Sequence, residues 1–380
     1  MEVSVVQGLK EVDEAEWDAV SGPDDPFVEY GFLSTLEDSG SVGPGTGWHP
    51  LHVTVRDEGK LVGAMPLYLK EHSYGEYIFD WGWAGGAERA GLRYYPKLVS
   101  MAPVTPATGR RFLVHPDAER ELVVPGLLEG ALAAAKATEA SSVHLLFLSE
   151  QERRDVAEDG RFMARLSMQY HWHSAGDASF DDYLGRFRSS MRKKARKERR
   201  AVSEAGLDVR VRTGEELTRD DWRMLRRFYE DTCRRKGSYP YLEGAFFEIG
   251  AERLKKRAVA VLAYEGERCV AGTLNFEKGP HLYGRYWGCD SDYDMLHFEL
   301  CYYRLIERAI EKGMARFEAG AQGSHKLRRG LMPTPIHSAH FIAHPQLRAA
   351  IADFLPDEAR QMMRQIEVQS EHGPFRRDGC

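Results

Sequence analysis

VTVRDEGKLVGAMPLYLKEHSYGEYIFDWGWAGG, residues 53–86, decides the fold, because AVLAYEGERCVAGTLNFEKGPHLYGRYWGCDSD, residues 260–292, reads as the same unit a second time. Both open as an apolar strand, a charged turn containing Glu-Gly and a second apolar strand, the pattern of a β-hairpin. Tyr74-Gly75 lines up with Tyr283-Gly284 at an offset of 209, and Tyr94-Tyr95 with Tyr302-Tyr303 at an offset of 208. Trp81-Gly82 and Trp287-Gly288 match after a three-residue gap. One offset kept across a hairpin, an aromatic strand and a tyrosine pair points to internal duplication.

Working outward, each copy continues into a helix and a strand. The Ala/Leu-rich residues 122–140 predict a helix leading into the apolar strand 143–148. In the second copy, apolar residues at Leu300, Tyr303, Leu305, Ile306, Ala309 and Ile310 predict a helix over 298–312 with one buried face. Gly313 stops it, and strands follow at 315–319 and 336–343. Between the copies, 180–206 reads as one helix, followed by helices at 219–236 and 243–253. Residues 345–367 predict two short helices, with a tail lacking fixed structure over the last dozen residues. The expectation is an α/β chain with mixed sheets flanked by helices, divided into an N-terminal lobe (1–175) and a C-terminal lobe (176–380).

Composition narrows the class. Hydrophobic residues make up 43% and charged residues 29% of the 380, which suits a globular protein with a sizeable core. No apolar run reaches the 18 residues of a membrane span, and MEVSVVQGLKEVDEAEWDAV lacks the basic-then-apolar pattern of a secretory signal. Five cysteines without a CxxC pair argue against a disulfide framework or a Cys-rich zinc site, so a reducing cytoplasm is expected. A net charge of -6 excludes wholesale coating of nucleic acid and leaves room for a local basic patch.

Several stretches carry a resemblance: HSYGEYIFDWGWA, YYPKL, QYHWH, RKERRAV, LYGRYWG, HFELCYY and, most specific, FEAGAQGSHK within FEAGAQGSHKLRRG. From about Phe32 to Leu355 the chain resembles the Fem-like (FemAB-type) family of predicted N-acyltransferases. The resemblance implies a double acetyltransferase-like (GNAT-like) fold, with a basic helix opening its second half, and amide formation on an amine. It implies no tightly bound cofactor, with aminoacyl-tRNA or acyl-CoA as the acyl donor co-substrate. It does not name the donor or the acceptor.

The loop at 320–330 is the best site candidate, since loops at the carboxyl ends of α/β strands are where ligands bind. It crowds Gln322, Lys326 and Arg328 around flexible glycines, and Lys326 and Arg328 suit a phosphate or carboxylate. Arg285, its neighbour Tyr286, and Asp80 are further substrate-binding candidates, because polar groups within aromatic strands need partners. Amide formation calls for a base, and Glu318, His325 and Glu299 are the candidates. Two have a structural reading as well: Glu318 can pair with Arg316 or Lys326, and Glu299 can favour the start of its helix. Between Arg186 and Arg200 stand nine Lys or Arg and one Glu, with Arg192, Lys193, Arg196 and Arg199 as the candidate contacts to a polyanionic donor. A tRNA, an anionic membrane surface or a plain solvated face all suit that run.

Where coenzyme A enzymes carry a glycine-rich phosphate loop, this chain has CDSDYDMLHFE with Asp290, Asp292 and Asp294, which repel phosphate. His171 and His173 share a strand face without a recognisable third ligand, so no metal is expected. The expected function is transfer of an acyl or aminoacyl group to a primary amine of a small molecule or peptide. Peptidoglycan precursors and specialised-metabolite or peptide modification are the contexts it fits. The alternatives are a non-catalytic binding protein for a cell-wall precursor or polyanion, and an acyl-CoA-dependent acetyltransferase.

Overall fold

A computed structural model describes residues 1–320 and 323–376. In chain order its strands are β1 (Glu2–Val6), β2 (Trp48–Pro50), β3 (His52–Asp57), β4 (Lys60–Met65), β5 (Tyr68–Lys70), β6 (Lys97–Ser100), β7 (Leu113–Val114) and β8 (Ser142–Leu148). They continue as β9 (Met163–His173), β10 (Leu207–Thr213), β11 (Ala258–Glu265), β12 (Arg268–Lys278), β13 (His281–Cys289), β14 (Arg316–Glu318) and β15 (Met332–Ile342). The helices are α1 (Glu14–Ser21), α2 (Tyr30–Asp38), α3 (Trp81–Arg89), α4 (Arg120–Ala137), α5 (Glu150–Asp159) and α6 (Phe180–Gly185). Then come α7 (Ser189–Glu204), α8 (Arg219–Arg235), α9 (Gly244–Arg253), α10 (Leu296–Phe298), α11 (Arg304–Glu311) and α12 (Pro345–Glu371). A π-helical turn, Glu299–Tyr303, joins α10 to α11.

The chain forms two compact units, Met1–Ser167 with Pro335–Arg364, and Met168–Thr334 with Gln365–Cys380. Division at 175/176 was the expectation from sequence; Pro335–Arg364 instead joins the first unit because β15 pairs with β8 there. In the first unit β1-β3-β4-β7 make an antiparallel sheet. Strands β2-β5-β6-β8-β15 follow in order, with β6 and β8 parallel. In the second unit the order is β10-β11-β12-β13-β14-β9, antiparallel except for β13 beside β14. The α/β class with mixed sheets is therefore as the sequence reads.

Both hairpins of the repeat form, each closed by a two-residue turn. Asp57 pairs with Lys60 across Glu58-Gly59, both at positive φ, and Glu265 pairs with Arg268 across Gly266-Glu267 with only Gly266 at positive φ. These suit the two tight turns that match strand twist. The hairpins keep an offset of 208 (Glu265 against Asp57, Arg268 against Lys60), and the helix–strand pairs keep one of 174 (Arg316 of β14 against Ser142 of β8).

The aromatic part of the expected repeat does not hold. Trp81-Gly82 starts helix α3, whereas Trp287-Gly288 lies in β13. Trp83 and Ala87, four apart, turn one helical face into the first unit's core, and that spacing outweighs the alternation of Tyr77, Phe79, Trp81 and Trp83. Tyr94-Tyr95 precedes β6 in a loop, while Tyr302-Tyr303 ends the π turn. The helix expected over 180–206 is two, because Phe187 leaves the helical path to bury fully in the second unit's core. The C-terminal segment is one helix that carries Pro356 inside it. Residues 373–376 are not a free tail: Phe375 packs edge-on against Phe187, with ring centroids 5.2 Å apart.

Candidate functional site

Strands β12 and β13 form the base of a pocket of about 410 Å³ in the second unit. Thr273 and Asn275, two apart on β12, face it, and both are almost fully buried. Asn275 spends its amide on Val259 O at 3.0 Å and Thr273 Oγ1 at 2.8 Å, so it stays buried and satisfied. Opposite them, Leu274 pairs with Tyr286 while Asn275 pairs with Gly284, which leaves Arg285 as the extra residue of a β-bulge. The bulge breaks the strand's alternation, so Gly284, Arg285, Tyr286 and Trp287 all line the pocket. Strict alternation would put Tyr283, Arg285 and Trp287 on one face; with the bulge between them, Tyr283 is buried in the core instead.

The wall comes from α10 and the π turn, which supply His297, Cys301 and Tyr302. π turns insert one extra residue per turn and recur at functional sites. Here the turn sends Tyr302 to the pocket while Tyr303 goes to a buried acid, Glu198 of α7. Lys236, the C-cap of α8, stands at the rim. Helix α8 lies close on β13 because Gly288 has no side chain: a Cβ there would sit 2.1 Å from the Phe228 carbonyl oxygen.

The expected loop at 320–330 contains a 3₁₀ turn, Ser324–Arg329. Lys326 is buried (5% exposed), and its ammonium donates to Gly320 O at 2.9 Å. Burial pulls its pKa down to about 8. His325 Nε2 lies 3.0 Å from the Tyr302 hydroxyl. Burial and then the charges of Lys326 and Arg329 lower the His325 pKa, so its ring is neutral at pH 7. Burial, with His325, Lys236 and Lys326 behind it, takes His297 down to about 4. Tyr302 keeps its proton, since burial raises its pKa. The turn is anchored by Arg329, which donates to His325 O at 2.8 Å and to Glu198 Oε2 at 2.8 Å.

Of the candidates read from sequence, the pocket brings together His325, Lys326, Arg285 and Tyr286. Gln322 lies outside the described residues. Arg328 is exposed and does not line the pocket. Glu318 is buried beside Arg316, 3.0 Å away, the pairing that its neighbours allow. Glu299 is gripped by Arg199 at 3.0–3.1 Å on another side of the π turn, and burial raises its pKa against that pairing. Asp80 belongs to the first unit, in a buried cluster with Lys97 and the Tyr94 hydroxyl (2.5 Å). Burial works to raise its pKa, but the Lys97 ammonium holds Asp80 ionised.

On α7 the four basic candidates divide. Arg199 is a structural ion pair, bound to Glu299 and Glu307 and stacked over Phe180 at 4.6 Å. Arg196 pairs with Asp181 at 2.9 Å. Arg192 and Lys193, together with Lys197 and Arg200, have no carboxylate partner among the described residues. Lys193, Lys194 and Lys197 edge a groove of about 570 Å³ that Met295 also lines.

Lys236, Trp287, His297, Cys301 and Tyr302 were not among the site candidates read from sequence. His297, Cys301 and Tyr302 sit in the motif HFELCYY, and buried polar Thr273 and Asn275 interrupt the apolar run VAGTLNF, a signal legible in the sequence. Among the described residues no cluster of three or more His, Cys, Asp or Glu has metal-holding geometry, and no helix is long and apolar enough to cross a membrane. The lining offers a neutral imidazole, a buried ammonium and aromatic walls, the parts needed to accept a proton and steady a developing oxyanion.

The sequence model of the FemAB-like family, described as peptidoglycan biosynthesis/recognition, matches residues 8–377. No curated protein matches the chain. Among solved structures, FemX is similar at 15% identity and a TM-score of 0.55, covering 93% of this chain and 100% of that one. L-PGS of Bacillus licheniformis is similar at 11% identity and a TM-score of 0.51, covering 85% and 95%. A conserved protein of unknown function from Bacteroides thetaiotaomicron stands at 10% identity and a TM-score of 0.54, covering 90% and 100%. At such identities these likenesses speak to the fold.

Proposed function

The chain belongs to the FemAB-like family, and on that premise we propose that it is an N-acyltransferase working in the pocket under the Ser324–Arg329 turn. The carrying observation is Lys326, a buried ammonium with a backbone carbonyl and no carboxylate as partner among the described residues, next to a neutral imidazole. A primary amine attacks the acyl carbonyl carbon and its proton passes to His325. The carbonyl oxygen, negative in the tetrahedral intermediate, is met by the Lys326 ammonium. The carbonyl re-forms as its bond to the donor's oxygen or sulfur breaks, and the leaving atom takes up the proton held by His325, which returns to the neutral form.

Aminoacyl-tRNA is the favoured donor. The unpaired cations of α7 support a phosphate-rich ligand, and Asp290, Asp292 and Asp294 speak against a coenzyme A phosphate loop at that position. The family description supports a peptidoglycan-precursor amine as acceptor. Both would be met in the cytoplasm.

The test is acyl transfer from aminoacyl-tRNA and from acyl-CoA to candidate amines, read by mass, in wild type and variants. Lys326→Met is expected to lower kcat by about 10²–10³, and His325→Ala by about 10²–10⁴, with thermal midpoints unchanged. The profile of kcat/KM against pH should be bell-shaped. Its acid limb lies below 6.5, where His325 becomes protonated, and its alkaline limb near 8, where Lys326 loses its proton. An alkaline limb that does not move upward in Lys326→Arg removes Lys326 from the reaction. Product formation by neither donor favours the binding-protein reading.

A further inference from the structure

The lining of the second unit's pocket is electrostatically one-sided. Lys236, Arg285 and Lys326 belong to it, and among the described residues no Asp or Glu does. Lys236 caps the C-terminal end of α8, where its charge suits the helix, yet its ammonium has no carboxylate partner among the described residues. Its field reaches inside. After burial, the groups that act on His297 are His325, Lys236, Lys326 and Arg329, every one of which disfavours a proton there. Burial raises the Cys301 thiol, and against it Lys326 and Lys236 pull the other way. Lys326 is buried and Lys236 stands exposed at the rim, neither with a carboxylate partner among the described residues. A concave site that sets these two ammonium groups beside aromatic walls attracts an anion, because its field focuses inside the cleft.

We propose that the pocket holds an anionic group of the acceptor, a carboxylate or a phosphate, seated on Lys236 with the reacting amine turned toward His325 and Lys326. The assignment of the anion to the acceptor rests on the acyl-transfer reading; anion binding on Lys236 does not. The arrangement has a chemical consequence as well. An amine entering a cationic pocket loses its proton more readily, so the same charges that hold the anion favour the nucleophilic form.

Trp287 lines the pocket and gives a direct readout. Wild type, Lys236→Met and Lys236→Arg are titrated with inorganic phosphate and, separately, with acetate at constant ionic strength. Tryptophan fluorescence is followed alongside calorimetry. Wild type is expected to saturate with at least one anion, and phosphate alone or acetate alone identifies the class of group. Loss of that anion's charged partner in Lys236→Met should weaken binding about 10- to 100-fold, with Lys236→Arg recovering most of it. No saturable binding to wild type, or equal binding to wild type and Lys236→Met, overturns the subsite. Anion binding that depends on Lys236, in a protein that transfers no acyl group to any amine, upholds the subsite and removes the acyl-transfer reading instead.

Discussion

Glu198 is the sole acid between Arg186 and Arg200, and it is buried while its basic neighbours Lys197 and Arg200 are exposed. Its carboxylate receives the Tyr303 hydroxyl at 2.6 Å and the Arg329 guanidinium at 2.8 Å. Arg329 lies over the Phe298 ring at 3.3 Å and holds the His325 carbonyl. One side chain thus ties α7, the π turn and the turn bearing His325 and Lys326. Glu198→Ala leaves the Arg329 guanidinium buried without its charge partner, which costs about 3–5 kcal/mol. Lys197→Ala, one residue away and exposed, stays within about 0.5 kcal/mol of wild type. Urea unfolding of the two variants decides it: equal midpoints would mean that Glu198 anchors nothing. At this scale the sequence is most legible where chemistry is concentrated in a short motif, as in GSHKLRR. It was silent on Lys236, because that residue meets the pocket only through the packing of a separate helix. The burial of Glu198 was equally hidden, since a basic run reads as a solvated face until its packed side is known.

Among the elements, the paired strands β8 and β15 carry a buried polar chain between them. His144 faces His340 in register, their Nδ1 atoms 2.7 Å apart. Ser142 Oγ lies 2.7 Å from His144 Nε2, and Ser338 Oγ lies 2.9 Å from His340 Nε2. Serine and histidine two apart share a strand face, so both pairs project to one side. One proton bridges the two Nδ1 atoms, and a second has no acceptor there. Burial first, then Lys97, lowers the His144 pKa to about 3, despite the opposing pull of Asp80; burial also puts His340 well below 6.5. The unfolded chain binds these protons near pH 6.5 and the folded one does not. The pair's contribution to stability is therefore whole above 6.5 and declines as pH falls from 6.5 toward 3, by about 1.4 kcal/mol per pH unit for each histidine. Unfolding free energies from pH 7.5 to 4.5 should fall more steeply in wild type than in His144→Gln/His340→Gln; matching slopes would exclude the pair as the source. Hairpins and long helices were legible because period 2 and period 3.6 differ clearly over ten residues. The stretch 77–87 was not, since Tyr77, Phe79, Trp81 and Trp83 obey one period while Trp83 and Ala87 obey the other. Only core packing decides between them.

For the whole molecule, the chain crosses between its compact units inside β9, inside β15 and inside α12, not through linkers. That organisation lies beyond reading from sequence, because composition shows no break within a continuous strand. It makes a halved protein incomplete on both sides of residue 175. A fragment of residues 1–175 lacks the 337–342 strand that pairs with β8 through Ala339, His340, Phe341 and Ile342. It also lacks Ile342, Leu347, Ile351 and Leu355, which pack with Trp83 and Tyr94 in one core cluster. A fragment of residues 176–380 lacks the end of β9, whose His171, Trp172 and His173 pair with β14, and with it buried Tyr170 and Trp172. Each half would expose apolar surface and unpaired strand edges, which favour aggregation over folding. Expressed separately, both fragments should show poorly dispersed amide NMR spectra and no cooperative thermal transition. Co-expression should restore a soluble, cooperatively folding pair, because every missing strand is then supplied. A cooperative transition from either fragment alone would mean that the crossing strands are dispensable, and that the duplication still works as two self-sufficient domains.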